Sequence, residues 1–318
     1  MLTLPDSHKF GIVAMQNVAA DVTNGLTFAN GTVIFTSISD WVNSQWRRWI
    51  GELRAQDLEQ CNLIILRHAH SSRPEVLDAE HEALSREANA ILILTAYQFA
   101  PWYESAWSIR GSIVNGQREV RQMGRIPDLY RTQGSDPRRI TDQTIEYADK
   151  TLPDWLAVRA SGQFHRFRLS MGMVLNGLRE SYGEERVHQY ARALEGLILP
   201  KIGATEKQFV HRSLTFAGAS DKNRQIMRDI FRMRSATEHL HSWDTAVQDY
   251  PVEEREITAL LRTRQAEQLA AAAVLRILTT PSLRTWFEND ARISEFWLLK
   301  DHERSSIWGA PFRLQDVL

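Results

Sequence analysis

From Gly162 to Leu299 the chain is punctuated as a succession of helices. Apolar residues recur there at three- and four-residue steps, and the breakers Gly183, Pro200, Pro251 and Pro281 fall between the periodic runs. The spacing predicts helices over 162–181, 184–199, 206–216, 222–241, 253–278 and 282–299. Helices that each carry one apolar face must bury those faces against one another, so this half is expected to be an all-α bundle. In the fifth helix the run Ala270 to Ala273 lets a neighbour approach closely. Ile257, Leu260, Leu261, Leu269 and Val274 form its expected buried face.

The first hundred-odd residues read differently. Asn30-Gly31 lies between Phe28 and Val33, and Asn115-Gly116 between Ile113 and Val120, the dipeptide that tolerates the left-handed backbone of a tight hairpin. Phe10 to Met15 is a short apolar run, and Leu63 to Leu66 reads as a buried strand. Helices are expected over 41–58, from Val42, Trp46, Trp49, Ile50 and Leu53, and over 75–97. The stretch from Arg125 to Asp154 is polar, with Pro127, Gly134, Pro137 and Pro153, and predicts a linker. The expectation is an α+β domain of unstated role over 1–150 and a helical domain over 151–318.

Charge excludes a global attraction to polyanions. Lys and Arg number 38 against 39 Asp and Glu, so any nucleic-acid site must be a local patch. Cys61, the one cysteine, cannot form an intramolecular disulfide or a thiolate cluster, and beside a strand it reads as a small core residue. No segment approaches the roughly 20 apolar residues of a membrane span, and Asp6, His8 and Lys9 interrupt any signal-peptide core. A cytoplasmic protein without a membrane partner is expected.

No Gly-rich phosphate loop, Gly-x-Ser-x-Gly or His-Glu-x-x-His occurs. His68 and His70 alternate along a strand with His81 near in sequence, but no spacing places a third zinc ligand, so no metal is expected. Trp46-Arg47-Arg48-Trp49 has residue types that stack on bases and hold phosphates, and reads as core tryptophans flanked by surface arginines. Arg159, His165, Arg166 and Arg168 read as a solvated basic first turn.

The segment Arg228 to His241 concentrates chemistry on the fourth helix. If it is helical throughout, Arg232, Ser235 and His239 form one stripe and Arg234, Glu238 and His241 another. Ile226, Ile230, Met233, Thr237 and Leu240 make the anchoring face. The second helix carries Arg192-Ala193-Leu194-Glu195-Gly196-Leu197. An Ala-Leu-Glu segment followed on a later helix by Arg, a small polar residue and His resembles the HEPN superfamily, in its Apea-like branch. The resemblance covers the C-terminal half.

That resemblance implies an all-α, HEPN-like bundle that commonly forms a homodimer and, in many members, a ribonuclease needing neither metal nor cofactor. Its signature is an Arg, four to six residues, and a His. Arg234 with His239, Arg232 with His239, and Arg234 with His241 all satisfy it. The resemblance favours Arg234, Ser235 and His239, whereas an ideal helix superposes residues seven apart. It also implies that Glu195 orients a histidine or arginine across the bundle. A Gly usually follows the His, where this chain has Leu240.

The residue types suit the implied reaction. A His can take the proton of an RNA 2′-hydroxyl as it attacks the adjacent phosphate, leaving a 2′,3′-cyclic phosphate. An Arg fork can hold the phosphate oxygens as charge grows on them. Residues 211–241 carry a net charge of +3, with Arg224, Arg228 and Ser235 as candidate RNA contacts. The alternative is a non-catalytic HEPN-like module that binds a protein or nucleic acid.

Overall fold

The computed structural model describes residues 4–98, 103–129 and 139–317. The chain forms two compact units, one built on Met1–Leu129 with Asp136–Pro153 and the other on Asp154–Leu318.

The first unit is α+β. Along the chain come β1 (His8–Gln16), β2 (Ala20–Asp21), β3 (Val33–Phe35), α1 (Ser44–Ile50), α2 (Glu52–Glu59), β4 (Cys61–His70), α3 (Ala79–Gln98), β5 (Ser105–Val114), β6 (Gln117–Arg125), β7 (Ile140–Thr141) and the start of α4 (Asp142–Ala160). An antiparallel sheet runs in the order β3-β4-β1-β5-β6. Central β1 is buried from Lys9 onward, on both faces. Side chains alternate along it, so Phe10 and Ile12 join a core with Trp41, Trp46 and Leu66, while Gly11 lies against the backbone of α3 at Leu84 and Ser85. Cys61 belongs to the same core as Phe10 and Ile12, and burial pushes its thiol up to about 12.

Both Asn-Gly turns form. Asn115 and Gly116 have φ of 52° and 72°, as a two-residue hairpin turn between β5 and β6 requires. At the other, Gly31 at φ 84° donates to the Phe28 carbonyl at 2.9 Å, and only Val33–Phe35 continues as a strand. The single helix expected over 41–58 is two, because Gly51 adopts φ 87° and resets the helical phase. Trp46 is buried, but Trp49 and Leu53 are exposed, so the two tryptophans do not share a core face.

Residues 130–138 of the expected linker lie outside the described residues. Beyond them it is not irregular, since α4 runs straight through Pro153. A proline inside a helix has no N–H for the carbonyl four residues back. Asn30 supplies the missing donor, its Nδ2 reaching the Asp149 carbonyl at 2.8 Å. The Asp149 carboxylate in turn accepts from the backbone N–H of Asn30 at 2.9 Å and of Thr32 at 3.3 Å.

The second unit is helical: α5 (His165–Arg179), α6 (Gly183–Ile198), α7 (Thr205–Ala217), α8 (Asp221–Glu238), α9 (Trp243–Ala246), α10 (Arg255–Thr279), α11 (Pro281–Arg284), α12 (Asp290–Leu298) and α13 (Asp301–Trp308). Gly177 on α5 lies against the Tyr190 ring, and Gly196 on α6 against Ser170, so small residues let these two helices approach. Leu269, Ala270, Ala273 and Val274 on α10 are buried as expected, whereas Leu260 and Leu261 are half-buried and Ile257 is 70% exposed because the buried face begins only at Ala259. The helix expected over 282–299 is interrupted. Asn289 accepts from the Arg292 N–H at 3.0 Å and starts α12 afresh, as an N-cap does. No helix among the described residues is long and apolar enough to cross a membrane.

Candidate functional site

Helix α8 is fixed from both ends and from beneath. Ser220 caps its start, accepting from the Asn223 N–H at 3.1 Å. Ile226, Ile230 and Met233 recur at helical spacing and are buried. Between them lies fully buried Asp229, whose carboxylate accepts from Arg262 Nε at 2.7 Å, the Tyr250 hydroxyl at 2.7 Å and Gln225 Nε2 at 2.8 Å. A buried carboxylate so surrounded keeps its charge satisfied and ties α8 to α10.

The helix ends at Glu238, short of the continuous helix expected to His241. His239 is the C-cap and Leu240 takes φ 56°. The His241 N–H donates to the Ala236 carbonyl at 2.8 Å and the Leu240 N–H to the Thr237 carbonyl at 3.1 Å. This bond pair closes a helix over a left-handed residue, a position glycine fills most easily. Leu240 fills it here at 94% exposure, so it is not part of the anchoring face. His241 lies outside the helix, and its expected superposition on Arg234 does not apply.

The two arginines of the motif diverge. Arg232 donates to Asp249 at 2.7 Å and, with Phe231, Ser235 and His241, lines an open depression of about 330 Å³. Arg234 instead pairs with Glu238 on its own helix and reaches Glu195 on α6 at 3.3 Å. Burial pushes the Glu195 carboxyl up, with Glu238 adding to the shift while Arg234 and Arg192 oppose it. The rings of His239 and His241, both exposed, are 6.0 Å apart. Arg228 is exposed, and half-buried Arg224 lines a separate depression with His211.

One residue of this region carries no signature in the motif. His188 precedes Arg192 and Glu195 on α6 by four and seven residues, so the three share a face. Burial pushes its imidazole down from 6.5, and nearby Arg234 and Arg192 push it further. Its Nδ1 is buried with no hydrogen-bond partner among the described residues. The spacing upstream of the Ala-Leu-Glu segment was the available signal.

The other candidates are engaged elsewhere. Arg166 forms a two-bond pair with Asp290 at 2.9 and 3.0 Å, and Arg168 donates to the Ser161 carbonyl at 2.6 Å. His68 and His70 gather with His8, whose ring is 5.4 and 5.7 Å from theirs, while His81 bonds to Ser112 at 2.9 Å. Among the described residues no group of three His, Cys, Asp or Glu is placed to hold a metal. No family model, curated protein or solved structure matches the chain.

Proposed function

We propose that the helical unit is a HEPN-like module that cleaves RNA without metal at the C-terminal end of α8, as a homodimer. The observation that carries this reading is the pair of exposed imidazoles, His239 and His241, with ring centroids 6.0 Å apart, His241 lining a depression with Arg232 and Ser235. In-line cleavage needs one group to take the proton from the 2′-oxygen and another to give a proton to the departing 5′-oxygen. Two exposed imidazoles this close together can serve as that base and that acid at one phosphodiester. The 2′-oxygen bonds to phosphorus, the bond to the 5′-oxygen breaks, and the products are a 2′,3′-cyclic phosphate and a 5′-hydroxyl. Arg232 and the Ser235 hydroxyl hold the non-bridging oxygens. Arg224 and Arg228 contact the strand beyond. Arg234, shared between Glu195 and Glu238, serves as a positioning residue for α8.

A specific observation favours a second reading, the non-catalytic module that binds nucleic acid or a protein. Arg232 already faces Asp249, and Arg234 faces two carboxylates, so neither is a free cation for a phosphate. Incubation of purified protein with RNA in EDTA separates the two. The catalytic reading expects cut RNA ending in cyclic phosphate, intact DNA of the same sequence, and no cutting by a His239→Ala, His241→Ala double variant. RNA that is bound but uncut selects the second reading, and full cleavage by the double variant removes the basis for assigning the two histidines.

A further inference from the structure

We infer that a cavity between the start of α6, α9 and the start of α10 binds a neutral nucleobase, presented by a nucleoside. The cavity measures about 540 Å³, within the roughly 300–1,000 Å³ typical of small-molecule sites. It lies on the other flank of α9 from the depression holding His241, and its residues carry the proposal whether or not the protein cuts RNA.

Three features define the ligand. The walls are apolar and aromatic, with Val247, Val252, Leu260 and the indole of Trp243. That indole is held by its Nε1–H donating to Thr237 at 3.1 Å and packs beside Gly183, whose missing side chain leaves the space open. A flat ring fits such walls and gains from the aromatic one. Arg186, 3% exposed, also lines the cavity. Among the described residues its bonds run from Nη2, to Glu267 at 2.5 Å and the Tyr190 hydroxyl at 3.4 Å, while Nε has no partner there.

With Glu267 offsetting its charge, this guanidinium recognises an uncharged acceptor, a ring nitrogen or carbonyl, and does not call for an anion. The third feature is the carboxylates of Glu184, Asp244 and Glu256 among the lining residues, all exposed. They accept from amino groups and, three against the one further lining cation Arg255, disfavour phosphates. An uncharged flat ring bearing both acceptors and an exocyclic amine satisfies all three, and adenine and cytosine have that pattern.

The test is calorimetric titration of the full chain with adenosine, cytidine and adenosine 5′-monophosphate. The expected result is nucleoside binding with Kd of about 10–500 µM and a monophosphate that binds no tighter. Leu260→Trp, which fills the cavity, and Val252→Trp, at an exposed lining position that folding tolerates, should each weaken adenosine at least tenfold. The His239→Ala, His241→Ala variant should bind it as the wild type does, which separates this site from the proposed cleavage. Three results would overturn the inference: no binding of either nucleoside at about 5 mM, a monophosphate tenfold tighter than adenosine, or unchanged affinity in a folded cavity variant.

Discussion

Each unit holds a cluster of charged and histidine side chains, and the two clusters are built to opposite ends. In the α+β unit, buried Lys9 donates to Asp78 at 2.7 Å and to Glu80 at 2.8 Å, and Ser71 adds a bond to Glu80 at 2.7 Å. Ser112, His81 and Asp78 follow in the order of a hydrolase triad, at 2.9 and 3.6 Å. The resemblance ends at the serine. Ser112 is fully buried and gives its proton to the Pro74 carbonyl at 2.5 Å, so His81 must donate to it from Nε2. The serine proton is thus committed inside the fold, out of reach of a substrate. At the end of α8, by contrast, His239 and His241 stand in solvent, and His241 lines a depression. The same residue types make a structural brace where they are buried and bonded to one another, and a candidate site where they remain open to solvent.

The comparison can be broken most forcefully at Lys9. Lys9→Met leaves Asp78 and Glu80 without their cation, and because both carboxylates retain some access to water the loss should be about 2–3 kcal/mol. Urea unfolding, with hydrogen exchange at β1 and β4 to localise it, measures the cost. RNA cleavage should be unaffected. The wild-type brace also sets a pH window. The Lys9 bond holds the Asp78 carboxyl at about 2, below its ordinary 3.8, so its contribution is present above 3.8 and is lost as pH falls through 2. Burial works to lower the Lys9 ammonium, yet the bonds to Asp78 and Glu80 hold it above 10.5, so its contribution persists below 10.5 and is lost only above that. Lys9→Met should flatten both arms.

A smaller effect of opposite sign is expected at the open end. Leu240 carries a left-handed backbone that glycine adopts without strain, so Leu240→Gly should stabilise the helical unit by up to about 1 kcal/mol. Thermal unfolding reads this as a modest rise in Tm, and an unchanged or lower value would show that the turn is unstrained. The smallest effect sharpens the division between the arginines. Arg234→Met removes a cation beside His188, and the imidazole should titrate at higher pH by NMR. Its stabilising contribution as a neutral ring is present above 6.5 and is lost as pH falls through the lowered value. An unmoved His188 would place Arg234 apart from it.

Much of the helical unit was legible because its breakers act locally. Pro200 and Pro251 lie outside helices, and the buried faces of α8 and α10 follow their periodicity. What the sequence hid is non-local or carried by an atypical residue. Pro153 reads as a helix breaker, and Asn30, far away in the chain, answers the carbonyl it orphans. Leu240 ends α8 without the glycine that would announce the end. Gly51 looks like any glycine in a periodic run until its φ is known. At the site, Arg234 and Glu195 come together, but Glu238 shares the pair and His188 joins it unannounced.

The central claim is that His239 and His241 act together in one proton-transfer step. The most direct test measures single-turnover RNA cleavage in EDTA for His239→Ala, His241→Ala and the double variant. If they act together, each single change costs about 10²–10⁴ in rate and the double costs little more than the worse single, because acid and base serve one transition state. Wild-type rates in the double variant would contradict the account.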